Sequence, residues 1–413
     1  MKLCVFEDNS WDQFLPLTYT RAYFDLKCGI LKLRHKITRF YPADEKYLLL
    51  REELKKLYTS RFPKYKINHF EEGEYLFVNG RLLFDEMMKQ EVDSLENGTA
   101  LFNGDVCIAA RVLSEHERDI STEQLPHLFS KLKKIDTKIQ PMQYIWELVA
   151  KNEEQIALDY KFLIKNKISQ HMQDGTFHMM NSSEIFFGEN VIIEPGVVLD
   201  ATNGPIMIDD NAQIMANAVI KGPVYVGKGS AIKVGAKIYE GTSVGKVCKI
   251  GGEVEGTIFQ AFSNKQHEGF LGHSYVGEWV NIGADTNNSD LKNNYNNVKV
   301  FYYPQRSFKD SGSQFFGAIF ADHAKTGINA TFNTGIVVGV GCNLYSSLLF
   351  SGFIPSFSIG SVNRMGEYHL KKMLETAEIV KSRRGLKLSN EEKRILENCF
   401  ERSASLRKIF LKV

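Results

Sequence analysis

The hydrophobic positions in the middle of the chain recur with a period of six. Aliphatic residues occupy eight consecutive places at this interval: Ile208, Ile214, Ile220, Val226, Ile232, Ile238, Val244 and Ile250. The residue four positions after each of the first seven is small or of modest size, as in Ala212 and Ala218. Helices have a period of 3.6 and strands a period of 2, so neither produces this spacing. A parallel β-helix does, because each six residues form a strand and a turn, and three such units complete one triangular coil.

The six-residue frame extends in both directions with interruptions. Phe187, Ile193 and Leu199 set an earlier frame, which an insertion at 203–205 shifts to Ile208. The rhythm breaks after Ile250, which predicts a loop over 251–269. It resumes at 270, 276 and 282, breaks again for a polar excursion, and returns from 320 to 350. Insertions in a solenoid form loops on one face, where binding chemistry is usually placed.

The two ends of the chain have other patterns. Residues 1 to about 140 alternate apolar runs with helix-prone segments, which is typical of a Rossmann-like α/β domain. Strands are predicted at 2–6, 47–50, 75–78 and 107–110, and helices at 52–58 and 83–89. Helical spacing also predicts a connector over 144–165 and two tail helices, 367–384 and 389–407. The predicted division is therefore an α/β domain at 1–140, a connector at 141–177, a β-helix at 178–361 and a helical tail at 362–413.

Composition excludes several classes of protein. The formal net charge of +2 gives no case for bulk nucleic-acid binding, and 43% hydrophobic residues suffice for a core. Glu7 and Asp8 stand where a signal peptide would be apolar, and no apolar run approaches membrane-spanning length. The six cysteines show no CxxC pairing, which favours free buried thiols over disulfides or zinc. We expect a cytoplasmic protein with no membrane or nucleic-acid partner.

The break between 250 and 282 contains the residue best suited to catalysis, His267. An imidazole can accept a proton near neutral pH, although a single histidine is often structural. The six-residue frame, with His-Glu-Gly-Phe-Leu-Gly at 267–272 and Asn-Ile-Gly-Ala at 281–284, resembles the acetyltransferase half of the bifunctional GlmU family. This resemblance implies a left-handed β-helix. It also implies that His267 is the general base that takes a proton from a sugar amine as the amine attacks acetyl-CoA.

Further roles follow from the same resemblance. Asn281 matches a sugar-binding asparagine, and Asn294 and Tyr295 match a second such asparagine and its following tyrosine if four residues are inserted. Ala284 falls near the thioester of acetyl-CoA, and Ala321 falls more loosely on the pantetheine side.

Several positions depart from the family pattern. Phe270 replaces a tyrosine, Tyr239 replaces the arginine that binds the sugar phosphate, and 255–257 lacks the partner lysine. Lys237 and Lys265 are candidates to replace this charge. Losing a charged pair to a phosphate normally costs several kcal/mol, so the identity of the acceptor is open.

The N-terminal part resembles sugar-1-phosphate nucleotidyltransferases less closely. Leu-Pro-Leu-Thr-Tyr-Thr-Arg at 15–21 matches one of their segments, but 6–13 contains none of the glycines that let backbone N–H groups approach a triphosphate. Ala22-Tyr23 replaces their Pro-Lys, and Lys27 and Gly29 are candidates to act from a shifted position.

Two further positions of this part bear on nucleotide and metal binding. Asn79 ends a strand like the one that delivers a metal-binding aspartate, but Arg81 stands in place of that aspartate, so the metal ligands are unknown. The turn at 103–105 fits a hairpin better than a metal-binding aspartate. Arg21 is a candidate phosphate contact, with a surface salt bridge as the alternative.

These resemblances imply acetyl transfer from acetyl-CoA to a hexosamine-1-phosphate. They also imply nucleotidyl transfer from UTP or dTTP to the sugar-1-phosphate with Mg²⁺. A homotrimer is implied, with acetyl-CoA bound between adjacent prisms, and flat apolar prism faces favour such packing. Two alternatives stay open. One is a nucleotidyltransferase whose β-helix serves only oligomerisation, and the other is a non-catalytic scaffold that binds sugar nucleotides.

Overall fold

The computed structural model describes residues 1–42, 45–165, 167–170, 172 and 175–411. The chain divides into two compact units. We call Met1–Leu26, Leu31–Ile145 and Asn390–Ile395 the α/β unit, and Lys27–Ile30, Trp146–Ser389 and Leu396–Val413 the β-helix unit. The predicted fold class is confirmed: a mixed α/β sheet precedes a left-handed parallel β-helix and C-terminal helices.

The α/β unit is built on a seven-stranded sheet of order β3-β2-β1-β5-β7-β6-β9. The strands of the unit are β1 Lys2–Phe6, β2 Lys46–Leu49, β3 Tyr65–Ile67, β4 His69–Phe70, β5 Gly73–Asn79, β6 Thr99–Asn103, β7 Val106–Ser114, β8 Arg118–Asp119 and β9 Lys133–Asp136. Of these, β4 and β8 form a separate two-stranded sheet. The helices of the unit are α1 Leu33–Thr38, α2 Glu52–Arg61, α3 Glu86–Asp93 and α4 Leu125–Ser130. β1 pairs in parallel with β2 and β5, and β7 runs antiparallel to β5 and β6. The residues at 103–105 form the turn between β6 and β7, as predicted.

Apolar residues explain this sheet. Val, Phe, Tyr and Leu in β1, β2 and β5 are buried on both faces of the sheet, which is typical of central parallel strands. The predicted strands each correspond to an observed one. The helix predicted at 83–89 begins three residues later, because the carboxylate of Asp85 accepts a hydrogen bond from Met88 N and caps α3.

Three stacked sheets form the faces of the β-helix. Face 1 contains β11 Ile185–Phe187, β14 Ile206–Ile208, β17 Val224–Val226, β20 Thr242–Lys246, β23 Ile258–Ala261, β26 Tyr275–Glu278, β30 Ala318–Phe320, β33 Ile336–Val338 and β36 Phe353–Ile354. Face 2 contains β12 Ile192–Ile193, β15 Gln213–Ile214, β18 Ala231–Ile232, β21 Lys249–Ile250, β24 Asn264–Lys265, β31 Lys325–Thr326, β34 Asn343–Leu344, β37 Ser358–Ser361 and the antiparallel β38 Arg364–Glu367. Face 3 contains β10 His178–Met180, β13 Val198–Asp200, β16 Val219–Lys221, β19 Lys237–Ile238, β22 Glu253–Glu255, β25 Phe270–Gly272, β27 Asn287–Asn288, β32 Thr331–Phe332 and β35 Leu349–Phe350.

The interior of the β-helix confirms the six-residue frame. All eight aliphatic residues of the strict repeat are 0% exposed and stack in columns along the three faces. The small residues four positions later are buried at the corners, where Ser230 Oγ donates to Gly245 O and accepts from Cys248 N of the neighbouring coil. Small side chains are needed there because consecutive coils approach at the spacing of β-strands, about 4.8 Å.

The predicted loop at 251–269 is wrong. The β-helix continues through this segment as β22, β23 and β24, with shortened corners. Gly252 and Gly256 adopt left-handed backbone conformations at these shortened corners. The frame resumes at Leu271 and not at Phe270, because Leu271 pairs with Val254 in the interior column while Phe270 pairs with Glu253.

The predicted polar excursion is present, and the predicted helical segments are helical, but the connector is divided into two helices and the tail into three. The segment 289–317 leaves the β-helix and contains the hairpin of β28 Lys299–Tyr302 and β29 Ser307–Asp310. The connector consists of α5 Ile145–Ala150 and α6 Asn152–Ile164, and the tail of α7 Leu370–Ser382, α8 Asn390–Arg402 and α9 Ala404–Phe410. Within the described part of the chain, no helix has both the length and the apolar composition that crossing a bilayer requires.

Candidate functional site

His267 lies on the corner between faces 2 and 3, in the turn that joins β24 to β25, and its side chain is exposed. Asn264 pairs in parallel with Asn281 before this corner, and Asp285 N donates a hydrogen bond to Glu268 O (3.0 Å) after it. Both contacts join residues the same number of positions apart, so the register between the two coils is unchanged across the corner. Ala284 therefore stands opposite His267 on the next coil, about 4.8 Å away along the axis. The structure thus brings the predicted base and the predicted thioester position together.

Asn281 begins the coil that carries Ala284, and its side chain is exposed on face 2. Its Oδ1 atom lies 3.4 Å from Asn264 Nδ2. Ala321 is not part of this group: it is fully buried at the corner between faces 1 and 2, where its N–H bonds to Val338 O. A single chain therefore does not place Ala321 beside Ala284.

The two lysines predicted to bind substrate lie in different environments. Lys265 pairs with Ile250 in an interior column and is 1% exposed. Its ammonium donates to Gly251 O (3.1 Å) and His267 O (3.0 Å), and burial lowers the pKa of Lys265 to about 8. The structure does not support the predicted substrate contact, because this ammonium is used inside the coil. Lys237 is half-exposed on face 3, 3.6 Å from a Glu268 carboxylate oxygen.

Asn294 and Tyr295 lie on the polar excursion. Both are exposed; Asn294 Oδ1 accepts a hydrogen bond from Asn296 N (3.1 Å), and Tyr295 O accepts one from Gln314 Nε2 (2.8 Å). These bonds shape the loop and leave the Tyr295 ring in solvent.

The sequence did not predict that another histidine, His273, is paired with an acidic side chain. His273 Nδ1 lies 2.8 Å from Asp290 Oδ2, and the ring packs against Phe315 with centroids 5.2 Å apart. His273 occupies the corner between faces 3 and 1. Asp290 begins the polar excursion, so the six-residue frame is interrupted between the two residues and offered no signal of their pairing.

The α/β unit has a polar cluster at the ends of β1 and β5. Asp8 Oδ2 accepts hydrogen bonds from Arg81 Nη2 (2.7 Å) and Asn79 Nδ2 (2.9 Å). Asn79 also donates to Cys107 O (3.0 Å), while its Oδ1 accepts from Arg81 N (3.0 Å) and lies 3.3 Å from the Tyr23 hydroxyl. Buried Asn79 therefore joins these strands, and its amide has no capacity left for the predicted nucleotide contact.

A 3₁₀ turn at Asn9–Phe14 stands where a glycine-rich loop would cradle phosphates. Glu7, which precedes it, is fully buried and pairs with Arg51 Nη1 at 2.7 Å. Burial raises the pKa of Glu7 against the opposing effect of Arg51. Arg51 also donates to the carbonyl oxygens of Thr18 and Arg21. Arg21 is 4% exposed, which argues against the alternative that it forms a surface salt bridge.

The other two predicted nucleotide contacts belong to the β-helix unit. Lys27 N donates to Gln260 Oε1 (3.1 Å) and the Tyr275 hydroxyl (2.9 Å), and its ammonium donates to Ile30 O (2.7 Å). Gly29 N donates to Asn152 Oδ1 (2.6 Å). Both residues are buried and anchor their segment to the β-helix unit, which is a structural role.

A cavity of about 330 Å³ opens in the α/β unit beside the polar cluster formed by Asp8, Asn79 and Arg81. Asp8, Asp105 and Lys134 supply charge to its wall, while Phe102 and Phe129 make much of it apolar. The cluster does not fit a Mg²⁺ ion, because the guanidinium of Arg81 already neutralises Asp8 where the second carboxylate would be needed. Among the residues that the structure describes, no group of three or more His, Cys, Asp or Glu side chains is arranged to hold a metal.

The chain is similar to several known proteins. Residues 3–168 match the family model described as sugar nucleotidyl transferase. The bifunctional protein GlmU of Methanocaldococcus jannaschii is 23% identical over 330 residues, which cover 69% of this chain and 74% of that protein. A bifunctional sugar-1-phosphate nucleotidylyltransferase/acetyltransferase of Sulfurisphaera tokodaii is 33% identical over 144 residues, 34% of this chain and 35% of that one. A solved UDP-N-acetylglucosamine acyltransferase from Bacteroides fragilis aligns with 58% of this chain and 85% of its own, at 20% identity and a TM-score of 0.29. The predicted resemblance to the GlmU family is confirmed as distant homology.

Proposed function

Because this chain joins a sugar nucleotidyltransferase domain to an acyltransferase-like β-helix and is a distant homologue of GlmU proteins, we propose that it is a transferase acting on amino-sugar phosphates. The β-helix transfers an acetyl group from acetyl-CoA to the amine of a hexosamine-1-phosphate. The observation that supports this best is the corner between faces 2 and 3, where exposed His267 stands over Ala284 with Asn281 at the head of the same coil. A cytoplasmic location belongs to the same proposal.

The residues at this corner perform the following chemistry. His267 accepts a proton from the sugar amine, whose nitrogen forms a bond to the thioester carbonyl carbon. The carbon–sulfur bond then breaks, and the proton on His267 passes to the leaving thiolate of CoA. Asn281 orients the sugar, and Ala284 leaves room for the thioester because it has no side chain beyond Cβ. The stacked coils hold these groups in fixed positions, which removes much of the entropic cost of bringing them together.

A homotrimer is part of the proposal. Ala284 lies at a corner of the prism, where a neighbouring prism can cover it, whereas Ala321 is fully buried and supplies no side-chain contact to the pantetheine arm. Prisms packed side by side around a three-fold axis bring unlike corners together, and acetyl-CoA then binds between protomers.

For the α/β unit, we propose binding of UTP, dTTP or the corresponding sugar nucleotide without metal-dependent transfer. The ion pair between Arg81 and Asp8 favours this alternative over nucleotidyl transfer, because the guanidinium neutralises the Asp8 carboxylate that would help to hold Mg²⁺. The cavity beside Asp8, with Lys134 on its wall, is the site of binding, and Arg21, which is buried and does not line this cavity, is not part of it.

Release of CoA thiol tests the acyl transfer. The full chain is incubated with acetyl-CoA and a panel of hexosamine phosphates, and His267→Ala is compared with His273→Ala, which removes an imidazole from another corner. We expect His267→Ala to lower kcat at least about 100-fold and His273→Ala to leave it within a few-fold, because only the first removes the general base. Loss of activity in His273→Ala alone would transfer the role of base to the pair with Asp290. Absence of thiol from the whole panel would refute acetyl transfer.

A second assay tests the α/β unit. Pyrophosphate release is measured with UTP and dTTP in the presence of Mg²⁺ and a hexosamine-1-phosphate, and binding of the same nucleotides is measured by calorimetry. The proposal predicts binding without pyrophosphate release. Sustained release would show that the unit is an active nucleotidyltransferase and that Arg81 does not prevent metal binding.

A further inference from the structure

A cavity of about 340 Å³ lies over face 2 of the β-helix, beside the end of α7. Four of the residues on its wall are basic: Lys249, Lys325, Arg383 and Arg384. Three others carry amide side chains, among them Asn264 and Asn281, and none carries a carboxylate. Such a combination of cations and amide donors is suited to binding the oxygen atoms of an anion.

The pairing of coils brings these residues together from distant parts of the sequence. Lys249 pairs with Asn264, Asn264 with Asn281, and Asn281 with Lys325, so the four form one outward-facing row across face 2. Coils are spaced at about 4.8 Å, which puts the two lysine Cα atoms about 14 Å apart with the two asparagines between them. Lysine side chains are long enough to converge over the asparagines from both ends.

The charged side chains on the wall of this cavity are all positive. Within the described residues, no ion pair joins Lys249, Lys325, Arg383 or Arg384 to a carboxylate. Arg384 Nη2 donates to Asn264 Oδ1 (2.8 Å), and Lys325 Nζ donates to His323 O (3.2 Å). Burial, assisted by Arg384, Lys233 and Arg383, lowers the pKa of Lys249, so the cations repel one another.

Stacked rings at the corner between faces 1 and 2 form one side of the cavity. Phe262 and Trp279 stack with ring centroids 4.5 Å apart and planes 3° apart, and His323 stacks on the indole from 6.3 Å. Stacked rings on adjacent coils cannot easily collapse into the cavity, so the basic groups are held apart over a preformed space.

We propose that this cavity binds a phosphate group through Lys249, Lys325, Arg383 and Arg384. The site offers positive charge on face 2, whereas Tyr239 and residues 255–257, which lack it, lie between faces 3 and 1. Asn281 lies on its wall, and Gln266, which also lines it, directly precedes His267. We assign this phosphate to the amino-sugar acceptor. The assignment rests on the proposed function, but the existence of a phosphate site does not rest on it. The alternative source of the same chemistry is a phosphate of CoA.

Calorimetry on the full chain tests the site with inorganic pyrophosphate, glucosamine-1-phosphate and CoA as separate probes. Lys325→Gln removes one cation of the row, and Lys221→Gln is the matched control, because Lys221 ends β16 on face 3 and does not line the cavity. We expect Lys325→Gln to weaken pyrophosphate binding at least about tenfold, since a hydrogen bond to a charged group is being lost. Lys221→Gln should change it less than twofold.

The outcomes separate the site from the function. Absence of pyrophosphate binding, or equal weakening by both variants, overturns the site. Weakening of glucosamine-1-phosphate but not of CoA by Lys325→Gln supports the acceptor phosphate, and the reverse overturns that assignment in favour of CoA. If Lys325→Gln weakens pyrophosphate binding while the wild type releases no CoA thiol, the site stands and acetyl transfer fails. If acetyl transfer occurs with the same KM for glucosamine-1-phosphate in Lys325→Gln and wild type, the site fails and the function stands.

Discussion

Replacement of Gly29 by alanine should strongly destabilise the β-helix unit. Gly29 has a φ angle of +75°, and a Cβ atom there would lie 2.6 Å from the backbone carbon and oxygen of Gln155 in α6. These atoms belong to a helix backbone and cannot move aside as a flexible side chain would. The chain has to shift, and the shift strains the bonds from Gly29 N to Asn152 Oδ1 (2.6 Å) and from Ile30 N to Asp159 Oδ2 (3.0 Å).

The expected loss can be divided into two parts. A left-handed conformation costs a residue with a Cβ atom about 1–2 kcal/mol relative to glycine. Weakening the two hydrogen bonds, one of them to a carboxylate, adds about 2–3 kcal/mol. The free energy of unfolding should therefore fall by about 3–5 kcal/mol in Gly29→Ala.

Gly235→Ala is the matched control. Gly235 lies in the same unit with a φ angle of +68°, and no heavy atom lies within 4 Å of the position of its Cβ. It should lose only the backbone part, about 1–2 kcal/mol. Urea unfolding followed by circular dichroism measures both variants. Equal losses would refute the packing argument. A Gly29→Ala protein that keeps wild-type stability but loses nucleotide binding would restore the predicted nucleotide contact.

Three further results are expected. Asp8→Asn leaves buried Arg81 without its carboxylate and should lower the free energy of unfolding of the α/β unit by about 3 kcal/mol in urea titrations. Asp210→Asn, which breaks the exposed pair with Lys228, should cost less than about 1 kcal/mol, and a similar loss in both would contradict the buried pairing. Pyrophosphate binding should weaken between pH 7 and 9, because burial lowers the pKa of Lys325 to about 8 and only its protonated form attracts the anion. Lys325→Arg should abolish that part of the pH dependence. An unchanged pH profile in this variant would exclude Lys325 from the site. All six cysteines are buried and free, so Ellman's reagent should modify less than one thiol per native chain and six after denaturation, whereas rapid reaction of the native protein would show that a thiol is accessible.

Regular repetition made the β-helix predictable. Every coil presents the same environment to its interior, so the same class of side chain recurs every six residues and the sequence alone indicates the coil. Strands β1, β2, β5 and β7 and helix α2 of the α/β unit were predictable for a similar reason, since their burial depends on local runs of apolar residues.

The segment at 251–269 shows where this reasoning fails. Shortened corners at Gly252 and Gly256 change the spacing without ending the coil, and Lys265 occupies an interior place that a hydrophobic pattern does not count. An ammonium can lie there only because the carbonyl oxygens of Gly251 and His267 converge on it. That convergence depends on how adjacent coils are aligned, which no local pattern reports.

By itself, the sequence determined the six-residue architecture and the α/β character of the N-terminal part. Only the tertiary structure decided that Ala284 lies opposite His267, that Arg81 neutralises Asp8, and that Lys249 and Lys325 share one row. The first set depends on contacts repeated at short range along the chain. The second set depends on the register between strands and coils, where one residue more or less at a corner changes which side chains meet.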